Sequence, residues 1–224
     1  MLKIAVFDCG FGGELFADHL ENELPIVQVI RVIDRRSAGD CFRNWHDARK
    51  AAEKAIRPYL GKVDLIVIAN YLLASTSLTY FRRKYKAQKF IGFSLYQKRI
   101  INKRPTLVIT TKATTRSLTY VNFAHRIKAK TVCFDTWPLL IDHGAMTDDK
   151  FRRDLNAAMS HISDFSPKQI LLACGHFTEL KPAFRSVFGH NVRIIDGYDD
   201  VMNDVYVALN LRGARCEQNR KNMI

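Results

Sequence analysis

At 224 residues, with 47% hydrophobic and 25% charged positions, the chain has ordinary globular composition and room for one large or two small domains. No apolar run approaches the roughly 20 residues that span a bilayer, and Met1 to Phe7 runs straight into a strand-like segment without leader architecture, so a cytoplasmic, non-membrane protein is expected. Lys and Arg outnumber Asp and Glu 35 to 22, a net charge of +13, which favours anionic partners without naming one.

Leu2 to Phe7 reads as a buried strand, and Asp8-Cys9-Gly10-Phe11-Gly12-Gly13 turns it into a helical pattern, the opening of a βαβ unit. The glycine spacing is not that of a dinucleotide fingerprint, which argues against a nucleotide cofactor. Asp8 is either a turn former or a carboxylate facing a ligand. Ile26 to Ile33 is a second strand, closed by the polar loop around Ser37-Ala38-Gly39. A helical pattern from about Trp45 to Leu60 leads to Leu65-Ile66-Val67-Ile68-Ala69, whose unbroken apolarity suits a central parallel strand. Asn70-Tyr71 ends it, Ser75 to Lys86 looks helical, and Phe90 to Phe93 is a short strand.

From Arg82 to Arg104 nine basic residues occur without an acidic one, interleaved with Tyr85, Phe90, Phe93 and Tyr96. Nucleic-acid contact is one reading of such a run; a solvated helix face followed by a strand is the ordinary one. A second α/β series follows. Thr106 to Thr110 is a strand, Thr111 to Ser117 a hydroxyl-rich turn, Leu118 to Lys128 a helix and Thr131 to Asp135 a strand. Trp137-Pro138 reads as a break, Phe151 to Ile162 as an amphipathic helix. Gln169 to Ala173 is a strand that stops at Cys174-Gly175-His176, a thiol with an imidazole two residues on. Helix Glu179 to Phe188, strand Val192 to Ile195 and a final helix from about Asp199 to Leu211 complete the series, before a polar, basic tail. The five cysteines, odd in number and irregularly spaced, suit reduced thiols and no zinc site.

Two α/β series predict two pseudo-symmetric, Rossmann-like parallel-sheet lobes with a cleft between them. Residues 1–97 with 196–224 would form the N-terminal lobe and 98–195 the C-terminal lobe.

Several motifs in order over about 200 residues resemble the aspartate/glutamate racemase superfamily. Phe7-Asp8-Cys9-Gly10-Phe11-Gly12-Gly13 is similar to its F-D-S-G-x-G-G, and Ala69-Asn70-Tyr71 falls where it has C-N-T. Thr111-Lys112-Ala113-Thr114-Thr115-Arg116-Ser117 with Tyr120 is similar to T-x-A-T-x-x-S-x-x-Y. Leu172-Ala173-Cys174-Gly175-His176-Phe177 corresponds to L-G-C-T-H-Y, and Ile195-Asp196-Gly197 to the I-D-S/G before the last helix. The resemblance implies cofactor-independent inversion of an acidic amino acid by two thiols on opposite faces of its α-carbon, usually to supply D-glutamate for peptidoglycan. It implies a small acidic amino-acid substrate and leaves a homodimer open. By the same resemblance Cys174 would be the C-terminal-lobe thiol, His176 its acid/base neighbour and Asp8 a support on the N-terminal lobe. Asn70 and Thr114 would hold the substrate.

The chain departs from the pattern at Ala69, where the first catalytic cysteine belongs, and at Tyr71 and Gly175, where the family has threonine. Cys9 is the candidate replacement thiol. Tyr71, larger than threonine, would reshape the substrate space beside Gly175. The alternatives are a single-cysteine enzyme that protonates one face, as decarboxylases of the superfamily do, and a lapsed catalyst that binds a ligand or a polyanion.

Overall fold

The computed structural model describes residues 1–37, 45–95, 100, 104–162 and 164–211. Ala38 and Gly39 of the second loop, Tyr96, Lys98, Arg99 and Lys103 of the basic run, Cys41, and the tail with Cys216 lie outside the described residues.

The N-terminal series is β1 (Leu2–Asp8), α1 (Phe11–Glu23), β2 (Val27–Ile33), α2 (Trp45–Ile56), β3 (Leu65–Ile68), α3 (Tyr71–Lys84) and β4 (Phe90–Gly92). The C-terminal series is β5 (Thr106–Thr110), α4 (Lys112–Thr115), α5 (Leu118–Ile127), β6 (Lys130–Cys133), α6 (Trp137–Asp142), α7 (Asp148–Ser160), β7 (Gln169–Leu172), α8 (Lys181–Phe188), β8 (Arg193–Ile195) and α9 (Tyr198–Ala208). A 3-10 turn, Gly175–Leu180, separates β7 from α8.

The strands form two four-stranded parallel sheets with matching orders, β2-β1-β3-β4 and β6-β5-β7-β8. Successive residues of a strand point to opposite faces, and that alternation divides the interior into three cores. Ile4 and Val6 of β1, Leu65 and Val67 of β3, Val108 of β5 and Leu171 of β7 share a central core with Phe16, Tyr71 and Tyr198. Ala5, Phe7, Ile66 and Ile68 pack outward on α2 and α3. Leu107, Ile109, Ile170 and Leu172 pack outward on Trp137, Phe151 and Phe184. The two lobes therefore share one apolar core in which α1, α5 and α9 lie against the inward sheet faces, and α9 packs against β4.

Two local expectations are corrected. Trp137-Pro138 opens α6 instead of breaking the chain: Pro is tolerated in a first helical turn, where its missing N–H has no intrahelical partner to lose. The buried Trp137 ring stacks on Phe134 at 3.6 Å and donates through Nε1 to Asp154 at 2.9 Å, which fixes this short helix. The helix after β3 begins at Tyr71, because Asn70 caps it by accepting from the Leu73 amide at 3.0 Å.

Candidate active site

The carboxyl ends of β1, β3, β5 and β7 meet between the lobes around a small, partly open cleft. Asp8, Asn70, Tyr71, Thr114, Cys174 and His176 all line it.

On the N-terminal side Asp8 extends the inward-facing row of Ile4 and Val6 and is almost wholly buried. Its Oδ1 accepts from the Cys9 amide at 2.6 Å and from Asn70 Nδ2 at 2.9 Å. Asn70 thus caps α3 with its oxygen and steadies Asp8 with its nitrogen. Burial pushes the Asp8 carboxyl up, only partly offset by the nearby His176 and these two hydrogen bonds. The paired glycines have separate reasons. A Cβ on Gly13 would come 2.3 Å from the Asp8 Cβ, and one on Gly12 would come 3.0 Å from the Gly175 backbone of the other lobe.

On the C-terminal side, Cys174 Sγ lies 3.7 Å from His176 Nδ1, and His176 Nε2 lies 3.0 Å from Asp142 Oδ1. The ring is buried beneath the opposite lobe: a Cβ on Gly10 would come 2.9 Å from Nε2. Burial alone would discharge the imidazole, but its contacts with Asp142 and Cys174 and the field of Asp8 prevail and raise it from 6.5 to about 10. Asp142 is held below the usual carboxylate range despite its own burial, chiefly by His176. A charged His176 carries protons on both nitrogens, one toward Asp142 and one toward the sulfur. The thiol, imidazole and carboxylate can pass a proton into and out of the cleft.

Asp142, at the last position of α6, is the site residue that sequence reasoning misses. An isolated acid after Trp-Pro-Leu-Leu-Ile carries no local signal; only the packing of α6 against the 175–180 turn brings it to His176.

Cys9 does not face Cys174. It continues the outward row of Ala5 and Phe7, is wholly buried beside Val32 and Ala48, and is disulfide-bonded. The expectations of a replacement thiol at Cys9 and of five reduced cysteines both fail there; Cys133 and Cys174 are free. The alternation of β1 already separates Cys9 from Asp8, since adjacent strand residues cannot share a face.

Tyr71 packs its ring against Phe93 at 5.1 Å and donates its hydroxyl to the Asp196 carbonyl at 2.7 Å. Burial drives that phenol well above its ordinary value, so it acts as a wall and tether. Thr114 is buried with its Oγ1 3.4 Å from that of Thr111. Gly175 abuts Gly12, where any larger residue would press the lobes apart. Among the described residues no group of three or more His, Cys, Asp or Glu side chains is arranged to hold a metal ion.

No family model matches the chain. Individual proteins do. The glutamate racemase of Lachnospira eligens is 23% identical over 98% of this chain and 86% of its own length. That of Clostridium novyi is 24% identical over 88% of this chain and 79% of its own. The crystal structure of Francisella tularensis glutamate racemase with D-glutamate superposes with a TM-score of 0.79 at 18% identity, covering 94% of this chain and 82% of that one. The chain is similar over nearly its whole length to members of the aspartate/glutamate racemase superfamily. Among these the likeness is to glutamate racemases, whose fold of two lobes with parallel sheets this chain shares. No described helix is long and apolar enough to cross a membrane.

Proposed function

We propose that the chain is a cofactor-independent racemase of the glutamate racemase type, acting on glutamate or a similarly small acidic amino acid and supplying the D-form for peptidoglycan. The observation that carries this is the convergence of the Cys174–His176–Asp142 relay from one lobe with Asp8 from the other at a single cleft. Crystal structures of the Escherichia coli and Francisella tularensis glutamate racemases contain L-glutamate and D-glutamate respectively.

Inversion needs a proton carrier on each face of the α-carbon. Cys174, backed by His176, serves one face. With Ala69 at the other strand end and Cys9 turned away, the group left opposite among the described residues is Asp8, whose raised carboxyl is a stronger base than an ordinary aspartate. Asn70 holds it in place, while Thr114 and the free amides at the start of α3 offer donors to a substrate carboxylate.

Exchange of the glutamate α-proton in deuterium oxide, followed by NMR, tests the reading. Exchange that disappears in Cys174→Ala and persists in Cys9→Ser is expected. Absence of exchange with both glutamate and aspartate at high enzyme concentration overturns it. That Cys174 is the one free thiol lining the cleft among the described residues favours one second reading, an enzyme that removes a carboxyl group from a diacid and protonates one face. Carbon dioxide release without α-proton exchange would select it.

A further inference from the structure

Among the described residues the positive charge is concentrated in one stretch of the chain. Residues 45–95 contain ten Lys and Arg against three Asp and Glu, whereas residues 105–211 contain twelve against eleven. Among the described residues the excess belongs to α2, α3 and the segments that follow them. These two helices lie side by side on the outward face of the N-terminal sheet, burying Ala48, Ala52, Ile56 and Phe81 beneath them. Their other sides expose Lys50, Lys54, Arg57, Arg83, Lys84 and Lys86.

Tertiary contacts draw these residues together. Glu53 of α2 is gripped by Lys84 and Tyr85 at the end of α3, which joins the two helices and neutralises one of the three acids. Asp64, another, accepts the Lys3 amide at 2.8 Å. Arg57 and Lys84 both bear electrostatically on Tyr85. The Arg49 guanidinium sits over Tyr80 at 4.5 Å and over the partly exposed Trp45 at 5.0 Å. Cations at the end of α3 also complement its dipole, but that effect fades beyond the last turn and does not account for Lys50, Arg57 or Lys86.

We propose that the α2–α3 face binds nucleic acid through its backbone phosphates, without reading sequence. Clustered Lys and Arg with neighbouring aromatic rings suit phosphates and stacked bases. An anionic membrane is the poorer match, because stable anchoring takes an apolar face or lipid chain beside a polybasic patch. Of the exposed large hydrophobic residues described, only Trp45 stands on this surface. None of these basic residues lines the cleft, so the inference is independent of the catalytic reading.

The test is fluorescence anisotropy of a labelled 20-base-pair duplex, and of one of its strands, titrated with the full chain from 50 to 200 mM potassium chloride. Binding whose logarithm falls linearly with log salt is expected, with a slope of about −4 to −5 for roughly five phosphates engaged. The combined variant Lys54→Glu, Arg57→Glu, Arg83→Glu and Lys86→Glu should weaken binding at least about a hundredfold and flatten the slope. Arg152→Glu with Arg153→Glu on the other lobe should change it less than about twofold. A thermal melt checks folding, and the same four positions changed to Gln provide a milder set. No binding at 50 mM salt, equal binding by the four-site variants, or binding to vesicles containing phosphatidylserine but not to either oligonucleotide would each overturn the proposal.

Discussion

His176 Nε2 and the Phe11 amide share one acceptor, Asp142 Oδ1, at 3.0 and 3.2 Å. Phe11 belongs to the N-terminal lobe and His176 to the C-terminal lobe, so the carboxylate that holds the imidazolium also holds the lobes together at the cleft. Asp142→Asn keeps the shape and removes the charge. The His176 titration, followed by imidazole NMR, should fall from about 10 toward its ordinary 6.5. Catalysed exchange should drop by about a hundredfold, the lower end of what acid/base groups contribute. An unmoved titration would show that Asp142 does not sustain the charge.

The same pair sets a pH dependence of stability. His176 binds its proton more tightly in the folded chain, near 10, than at its ordinary 6.5. Its stabilisation is therefore complete below pH 6.5 and is lost as pH rises toward 10. Urea midpoints of the wild type and His176→Gln should differ most at pH 6 and converge by pH 10.5. A constant difference across that range would be the wrong result for this linkage.

Asp8 acts in the same direction over a lower pH range. Its folded carboxyl is raised by burial, so ionisation at neutral pH works against the fold. Asp8→Asn keeps an oxygen for the Cys9 and Asn70 donors and removes the buried charge. The variant should melt higher than the wild type at pH 7, with the gain shrinking as pH falls toward the ordinary carboxylate range and gone below it. Its α-proton exchange should be lost.

Ala69 occupies the position where the superfamily resemblance calls for a thiol, on the inward row with Leu65 and Val67. Ala69→Cys supplies that thiol at the cleft wall, and inversion of glutamate measured by chiral chromatography should rise at least about tenfold, within the range of an added acid/base group. If the rate is unchanged, the limiting proton transfer lies elsewhere.

Gly12→Ala tests the contact between the lobes. The added Cβ would sit 3.0 Å from the Gly175 backbone and the His176 nitrogen, where no flexible side chain can yield. Overpacking of this kind costs about 1–3 kcal/mol, more than the roughly 1 kcal/mol that alanine gains over glycine in a helix. A lower urea midpoint is expected; an unchanged one would mean that the lobes open freely.

The sequence by itself determined the two α/β series, the parallel character of their strands and the positions of Asp8, Asn70, Cys174 and His176 at strand ends. Uninterrupted apolar runs such as Leu65 to Ile68 can be satisfied only in a sheet covered on both faces, and a polar residue that stops such a run falls at the sheet's edge. The alternation along β1 was equally legible and would have excluded Cys9. Tertiary structure decided the rest. Asp142 reaches His176 because a buried Trp137 anchors a short helix far along the chain. Tyr71 loses its hydroxyl to the Asp196 carbonyl, 125 residues away. The basic residues of α2 and α3 form one surface because the helices lie side by side. These relationships depend on distances between segments that no local pattern encodes, and on burial, which alone gives His176 and Asp8 their altered affinities for protons.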